Sequence, residues 1–338
     1  MADKEILTIS PSAIDVFLGC PRKYHFRYTA KISEPELREK SSLQWLGSDE
    51  RGTMMHRAME LYVSNVILPI SGRLDTIEAP HGSADEAKLV TALDAITFAE
   101  SDFQMVWTQA VKEIEEELQK KSTEALTVPV SAKEKELAEA ETDCRDAILY
   151  LIQMMKLRHQ YPVSVEMKFG KRRSEEDGEE LPITRDGEDD FAICGSIDRV
   201  DYDTTTGKYI VVDYKTGSID KKRKLRAGGR DDLLQDRVYA LAFEKMHPGK
   251  EVAASRYVFP SCDNQEIYEE MNAESKSAFE DRLWEEINAI RAKVDKACKG
   301  NKTEFPDCEN TCKYCGYAEL CDACDVLDAQ IAKAESTD

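Results

Sequence analysis

Alternating apolar and polar positions mark the strands of this chain, and apolar residues three to four apart mark its helices. Cys194–Asp201 and Ile210–Gly217 are rich in Ile, Val and Tyr, and a short polar turn separates them, so they read as a β-hairpin. With Thr204–Gly207 as its loop, Asp203 pairs with Lys208. The same register carried back sets Asp198 opposite Asp213. Val163–Phe169 alternates as a further strand, with Val163, Val165, Met167 and Phe169 on its apolar face and Glu166 on the other. Val252–Phe259 is one more. Helices are predicted over 8–20, with a capping box from Ser12 and Asp15 and a stop at Gly19 and Pro21. A second opens at Gly52 and carries His56 near its first turn. Asp231–Met246 forms a third, with Gln235 and Tyr239 on one face, and Ala273–Cys298 a fourth, with a core stripe of Leu283, Ile287, Ile290 and Val294. Residues 71–160 read as mostly helical and acidic, an insertion or helical subdomain without evident chemistry. Ser174–Asp190 is so polar and acidic that it reads as a mobile loop. The order of elements gives an α/β sheet layered by helices.

Composition narrows this picture. The 338 residues are 41% hydrophobic and 33% charged, which describes a soluble globular protein, and no apolar run approaches a membrane span. Met1–Glu5 does not open a signal peptide, so a cytoplasmic protein is expected, with its ten cysteines as thiols or metal ligands. A net charge of −20 argues against nonspecific coating of nucleic acid but leaves room for a local basic groove. Lys221, Lys222, Arg223 and Lys224 form one candidate, either a solvated loop or a phosphate contact. Arg22–Tyr28 interleaves basic and aromatic residues, which suits either a stacked nucleic-acid strand or a helix with its aromatics in the core.

The hairpin carries the sharpest chemistry. Directly opposed side chains have Cβ atoms roughly 5 Å apart, so two carboxylates meet on one face, and Lys215 follows Asp213 on that face. Two anions that close repel unless a cation lies between them; oxygen ligands suit magnesium or manganese. An exposed salt-bridge ladder is the plainer alternative. His56 alone is either structural or a ligand. The last residues hold Cys308, Cys312, Cys315, Cys321 and Cys324 in a tail too polar for its own core. An iron–sulfur cluster needs four thiolates and tolerates a distant one, for which Cys20 is placed at a helix end; zinc or free thiols remain alternatives, and Cys308 and Cys324 compete for the fourth place. Cys144, Cys194, Cys262 and Cys298 read as ordinary buried thiols.

Taken together these residues resemble the RecB-like branch of the PD-(D/E)xK nuclease superfamily. Its iron–sulfur members include the AddB nuclease domain, CRISPR-associated iron–sulfur exonucleases and eukaryotic exonuclease V. Ser10-Pro11-Ser12 running into Cys20-Pro21 is similar to the family's N-terminal segment. Gly52-x3-His56, Gly195-x2-Asp198, Asp213-Tyr214-Lys215 and Gln235-x3-Tyr239 match its ordered motifs, the third as DxK, and Cys312-x2-Cys315-x5-Cys321 with Cys20 matches its cluster signature. Residues 71–145 have no counterpart.

The resemblance implies a restriction-endonuclease-like mixed sheet flanked by helices, with a helical insertion and a 4Fe-4S clasp joining the termini. On that reading residues 1–70 hold the first cluster cysteine and the GxxxH motif. Residues 71–160 are the insertion, 161–300 the nuclease core and 301–338 the cysteine-rich tail. The resemblance further implies an Mg2+- or Mn2+-dependent deoxyribonuclease, an exonuclease on single strands or DNA ends, in repair, recombination or phage or CRISPR DNA processing. His56, Asp198, Asp213 and the Tyr214 carbonyl would bind the ion, Lys215 would assist catalysis, Glu166 could serve a second ion, and Gln235 and Tyr239 would position DNA. No GxxxxGK[ST] loop occurs, so a helicase or another recombination or adaptation partner would be a separate chain. Two readings compete: a catalytically silent nuclease fold used for DNA binding or scaffolding, and a zinc-ribbon adaptor.

Overall fold

The structure is a computed structural model describing residues 7–34, 45–121, 129–171, 178–185, 188–220, 223, 234–298 and 315–321. The chain divides into two units, residues 40–273 and residues 1–39 with 274–338. The second unit begins with β1 (Leu7–Ile9) and α1 (Pro11–Gly19). The helix starts at Pro11 rather than residue 8 because Ser10, not Ser12, is its cap: the Ser10 hydroxyl accepts from the Ala13 N–H at 3.2 Å, and proline suits the first helical position. Cys20 ends this helix and caps the next, α2 (Pro21–Tyr24), its sulfur accepting from the Lys23 N–H at 3.4 Å. A π-helical turn, His25–Thr29, follows. Of the basic and aromatic run, Tyr24 is buried and Arg27 exposed.

In the larger unit α3 (Ser48–Tyr62) begins a turn earlier than predicted, with Asp49 and Glu50 near its positive end, so His56 sits mid-helix. Met55, Ala58, Met59 and Tyr62 form its buried stripe, and His56 lies on the flank. A π-helical turn, Val63–Ile67, leads into α4 (Leu68–Ser71). The acidic stretch beyond is helical as expected: α5 (Ala84–Asp94), α6 (Glu100–Lys121) and α7 (Val130–Arg158). These helices share a unit with the sheet. Arg57 on α3 grips Glu113 on α6 at 2.6 and 3.1 Å, and α7 packs on the first sheet strand.

That sheet has five strands: β2 (Gln160–Phe169), β5 (Gly195–Asp203), β6 (Lys208–Tyr214), β7 (Val252–Phe259) and β8 (Gln265–Glu270), in spatial order 2-5-6-7-8. In sequence, β2 and β5 are separated by β3 (Leu181–Arg185) and β4 (Glu188–Ile193), an antiparallel pair outside this sheet where a mobile loop was expected. Acidic composition misleads there because backbone pairing needs only one apolar face, and Ile183, Phe191 and Ile193 supply it. The β5–β6 hairpin keeps the predicted register, from Asp203↔Lys208 to Arg199↔Val212. Asp203 Oδ1 accepts from the Thr205 and Thr206 N–H groups, and Gly207 adopts φ +70°, which fixes the loop. β6 and β7 are parallel, which requires a crossover, and α8 (Leu234–Met246) lies within it. β8 was not foreseen; its three glutamates hide an edge strand.

The last helix of the terminal unit, α9 (Ala273–Cys298), has the predicted bounds and buries Leu283, Ile287 and Ile290; the Val294 side chain lies outside the described residues. Residues 315–321 close on the N-terminal segment of the same unit. The Tyr317 hydroxyl donates to the Ile32 carbonyl at 2.7 Å, the Tyr317 ring lies 5.4 Å from that of Phe26, and the Gly316 N–H donates to Glu34 at 3.2 Å.

Candidate metal site

Strand alternation sorts β5 and β6 into two faces. Asp198 and Asp213 fall one step beyond the last paired residues, opposite each other on the front face, as the register requires. Helix α3 brings His56 to them. Its Nδ1 lies 3.4 Å from Asp198 Oδ2, and its Nε2 lies 3.0 Å from the Tyr214 carbonyl oxygen. Gly52, one turn before His56, makes the approach possible: a Cβ there would stand 3.1 Å from the Thr216 hydroxyl. The Tyr214 N–H donates to Asp198 Oδ2 at 2.9 Å, so one residue's backbone touches both partners.

Glu166 completes the cluster. His56, Glu166 and Asp198 each offer a ligand atom within 4.8 Å of the others. Glu166 reaches this position through a backbone φ of +44°, uncommon for a side-chain-bearing residue and often stored at functional sites. The Ser196 hydroxyl donates to its carboxylate at 2.9 Å. Asp213 turns its Oδ2 to Lys215 Nζ, 2.6 Å away. Lys215 also donates to Gln235 Oε1 at 2.8 Å, and Gln235 donates to the Tyr239 hydroxyl at 2.6 Å, so these four side chains form one chain of contacts. Tyr239 is set in turn by Phe169, whose ring meets it edge-on at 5.9 Å. The Phe169 ring occupies the space that a Cβ on Gly195 would need, 2.6 Å from its Cζ.

Electrostatics mark the cluster as short of positive charge. Burial, then the neighbouring Asp213 charge, push the Asp198 carboxyl up to about 7, while His56, the Tyr214 N–H and Lys215 pull the other way. Two carboxylates and an imidazole within 4.8 Å of one another suit a hard divalent cation, with Asp213 beside them held by the Lys215 ammonium and the Tyr214 carbonyl against His56, and such a cation relieves the repulsion that raises Asp198. These residues fit the metal.

The back face of the same strands was not anticipated. Arg199 is 4% exposed and grips Asp201 at 2.7 and 2.9 Å, and it donates a further hydrogen bond to the Tyr214 hydroxyl. Arg256 approaches Asp201 at 3.7 Å and Glu266 at 3.5 Å. The one sequence signal was Asp198-Arg199-Val200-Asp201 itself, which puts charge on both faces of a strand bounded by apolar residues.

Other predicted residues are less assembled. Arg223 is exposed, 3.8 Å from Asp220; Lys221, Lys222 and Lys224 lie outside the described residues. Cys20, Cys315 and Cys321 fall in the terminal unit, where Arg22 donates to the Cys321 sulfur at 3.3 Å; Cys312, Cys308 and Cys324 lie outside the described residues. Cys144 and Cys194 are buried as expected and Cys262 only partly so; the Cys298 side chain lies outside the described residues.

Comparison with known proteins places this geometry. Residues 8–322 match the PD-(D/E)XK nuclease superfamily. No curated protein matches the chain. Among the described residues no helix is long and apolar enough to cross a membrane. The match covers nearly the whole sequence, so the chain belongs to the PD-(D/E)XK nuclease superfamily, and its mixed sheet flanked by helices is a restriction-endonuclease-like fold. Membership implies metal-dependent nuclease chemistry on DNA, with divalent ions such as Mg2+ as the general cofactor.

Proposed function

We propose that this chain is an Mg2+- or Mn2+-dependent deoxyribonuclease of the RecB-like iron–sulfur branch. It acts as an exonuclease on single strands or DNA ends, in repair, recombination or phage or CRISPR DNA processing. The observation that carries the reading is the meeting of His56, Glu166 and Asp198 within 4.8 Å beside the Asp213–Lys215 pair. In this reading His56, Glu166, Asp198, Asp213 and the Tyr214 carbonyl hold the cation. A bound divalent ion supplies Lewis acidity toward a phosphate oxygen and lowers the pKa of an attacking water. Lys215 neutralises charge developing on the phosphate, an effect worth several kcal/mol in a water-poor site. Gln235 keeps the ammonium aimed by accepting from it, and Tyr239 holds Gln235. Gln235 and Tyr239 also border the DNA strand, and Lys221–Lys224 add phosphate contacts.

Cys20, Cys312, Cys315 and Cys321 ligate a 4Fe-4S cluster in this reading. The thiols match its donor chemistry, and the Lys23 N–H and Arg22 supply hydrogen bonds to the sulfurs of Cys20 and Cys321. Four metal–thiolate bonds would order a tail with few apolar residues. Iron and labile-sulfide assay of anaerobically purified protein tests this, and stoichiometric zinc without sulfide counts against it.

Digestion of end-labelled single- and double-stranded DNA with Mg2+ or Mn2+ tests the activity. Shortening products from the parent and none from Asp213→Ala support the exonuclease. DNA binding without cleavage by the parent favours the silent scaffolding subunit instead.

A further inference from the structure

We infer that Arg199 is a positioning residue for the metal site, acting through Tyr214 from the opposite face of the sheet. This inference rests on the proposed metal reading. Tyr214 ends β6, two residues beyond the last β5–β6 pair, so that ladder no longer fixes its backbone on the β5 side. Yet this backbone carries two contacts of the front face: its N–H to Asp198 at 2.9 Å, and its carbonyl 3.0 Å from His56 Nε2. The pairing with Val258 on β7 holds one edge of the strand. What sets rotation about the strand axis is the side chain on the other face.

That side chain is held by charge. The Tyr214 ring is 5% exposed, the Arg199 guanidinium lies 5.2 Å from its centroid, and Arg199 donates to its hydroxyl. Arg199 is itself locked by two hydrogen bonds to Asp201, buried to 1% exposure. Tyr214, Arg199, Asp201 and Arg256 all line a small pocket behind the sheet with about 20 Å³ of free space, room for one water. A buried ion pair adds little stability over well-packed apolar residues of similar volume. Its distinguishing property here is direction. Asp198, which accepts from the Tyr214 N–H, and Arg199, which donates to the Tyr214 hydroxyl, are adjacent on one strand, so β5 grips both sides of the residue whose carbonyl faces His56.

The test is calorimetric titration of metal-stripped full-length protein with Mn2+, comparing the parent, Tyr214→Phe, the double variant Arg199→Met/Asp201→Leu, and Asp198→Asn. Tyr214→Phe removes one oxygen and leaves the ion pair in place; the double variant removes both members of the pair and leaves Arg256 its contact with Glu266 at 3.5 Å. Both should weaken Mn2+ binding about tenfold, the scale on which groups that orient metal ligands act, while circular dichroism shows them folded. If both folded variants bind within twofold of the parent, and Asp198→Asn does not, the inference fails and the metal reading stands. If the parent binds Mn2+ no better than Asp198→Asn, the metal reading fails and the inference falls with it.

Discussion

Two charge clusters occupy opposite faces of the same pair of strands, one residue out of phase. On the back, Arg199 and Asp201 are 4% and 1% exposed and joined through two good hydrogen bonds, and Arg256 approaches as well. On the front, Lys215 pairs with Asp213 while His56 neighbours Asp198 and Glu166 at ligand distance, and His56 remains 30% exposed at the side chain. At the centre of the back cluster Arg199 and Asp201 satisfy each other without a ligand. The front cluster carries an excess of negative charge toward a partly open surface, and Asp198 registers the strain by its raised pKa. Pairing that is finished specifies structure; pairing left unfinished invites a cation.

This contrast predicts different costs for removing one charge from each side. The largest effect belongs to the front. Asp198→Ala or Asp213→Ala should lower DNA cleavage about a thousandfold, comparable with losing a principal group that stabilises transition-state charge. The same change should leave the metal-free protein no less stable, because it removes a buried or crowded carboxylate. A thermal midpoint that falls as steeply as activity would break the comparison. The back should respond in the opposite sense. Arg199→Met alone takes both hydrogen bonds from buried Asp201, leaving it only Arg256 at 3.7 Å, and should cost about 3 kcal/mol in urea unfolding. Arg199→Met/Asp201→Leu should recover most of that loss, and if it does not, the back cluster is held together by more than its charges.

Legibility in the sequence follows the same division. The hairpin register was readable because its loop is encoded locally, by Asp203 accepting from the turn and by Gly207 supplying a positive φ. The parallel strand β7 and the helix α9 were readable from unbroken patterns. The start of α3 was not, since Gly52 reads as a helix opening but serves close approach to Thr216. Alternation put Glu166 on the polar face of its strand, yet no pattern encodes the positive φ that delivers it to His56 and Asp198. The strands β4 and β8 were obscured by their own acidic residues and β3 by the acidic run before it, whose charge says where water is rather than whether the backbone pairs. Arg199 and Asp201 were hidden for a related reason: a charge inside a strand reads as solvent-facing until its partner is seen.

A third, smaller effect concerns how the front is propped. Gly195→Ala forces the Phe169 ring away from a Cβ 2.6 Å from its Cζ, and so away from Tyr239, Gln235 and Lys215. Overpacking of this kind costs about 1–3 kcal/mol. Cleavage should fall about tenfold, the scale of one hydrogen bond's worth of misalignment. Phe169→Leu in the same chain should restore part of it by vacating the space. Equal loss in the single and double variants would show that Phe169 is not the link.

The smallest predicted effect is the most discriminating, because it touches one hydroxyl on the front and its counterpart on the back. Ser196 donates to Glu166, and Ser196→Ala leaves that carboxylate free to rotate. Partly exposed to water, this hydrogen bond contributes about 1 kcal/mol net, so Mn2+ affinity should fall several-fold while the thermal midpoint barely moves. Tyr150→Phe removes a hydroxyl 3.5 Å from Arg158 beside the back cluster, a contact at the limit of hydrogen bonding, and should leave Mn2+ affinity unchanged. Titration of both variants with Mn2+ reads the difference directly. If Ser196→Ala binds as tightly as the parent, Glu166 does not hold the cation, and the front face keeps His56, Asp198, Asp213 and the Tyr214 carbonyl as its donors. If Tyr150→Phe weakens binding as much as Ser196→Ala does, the two faces are not separable, and the division between a finished and an unfinished cluster gives way to one network running through the sheet.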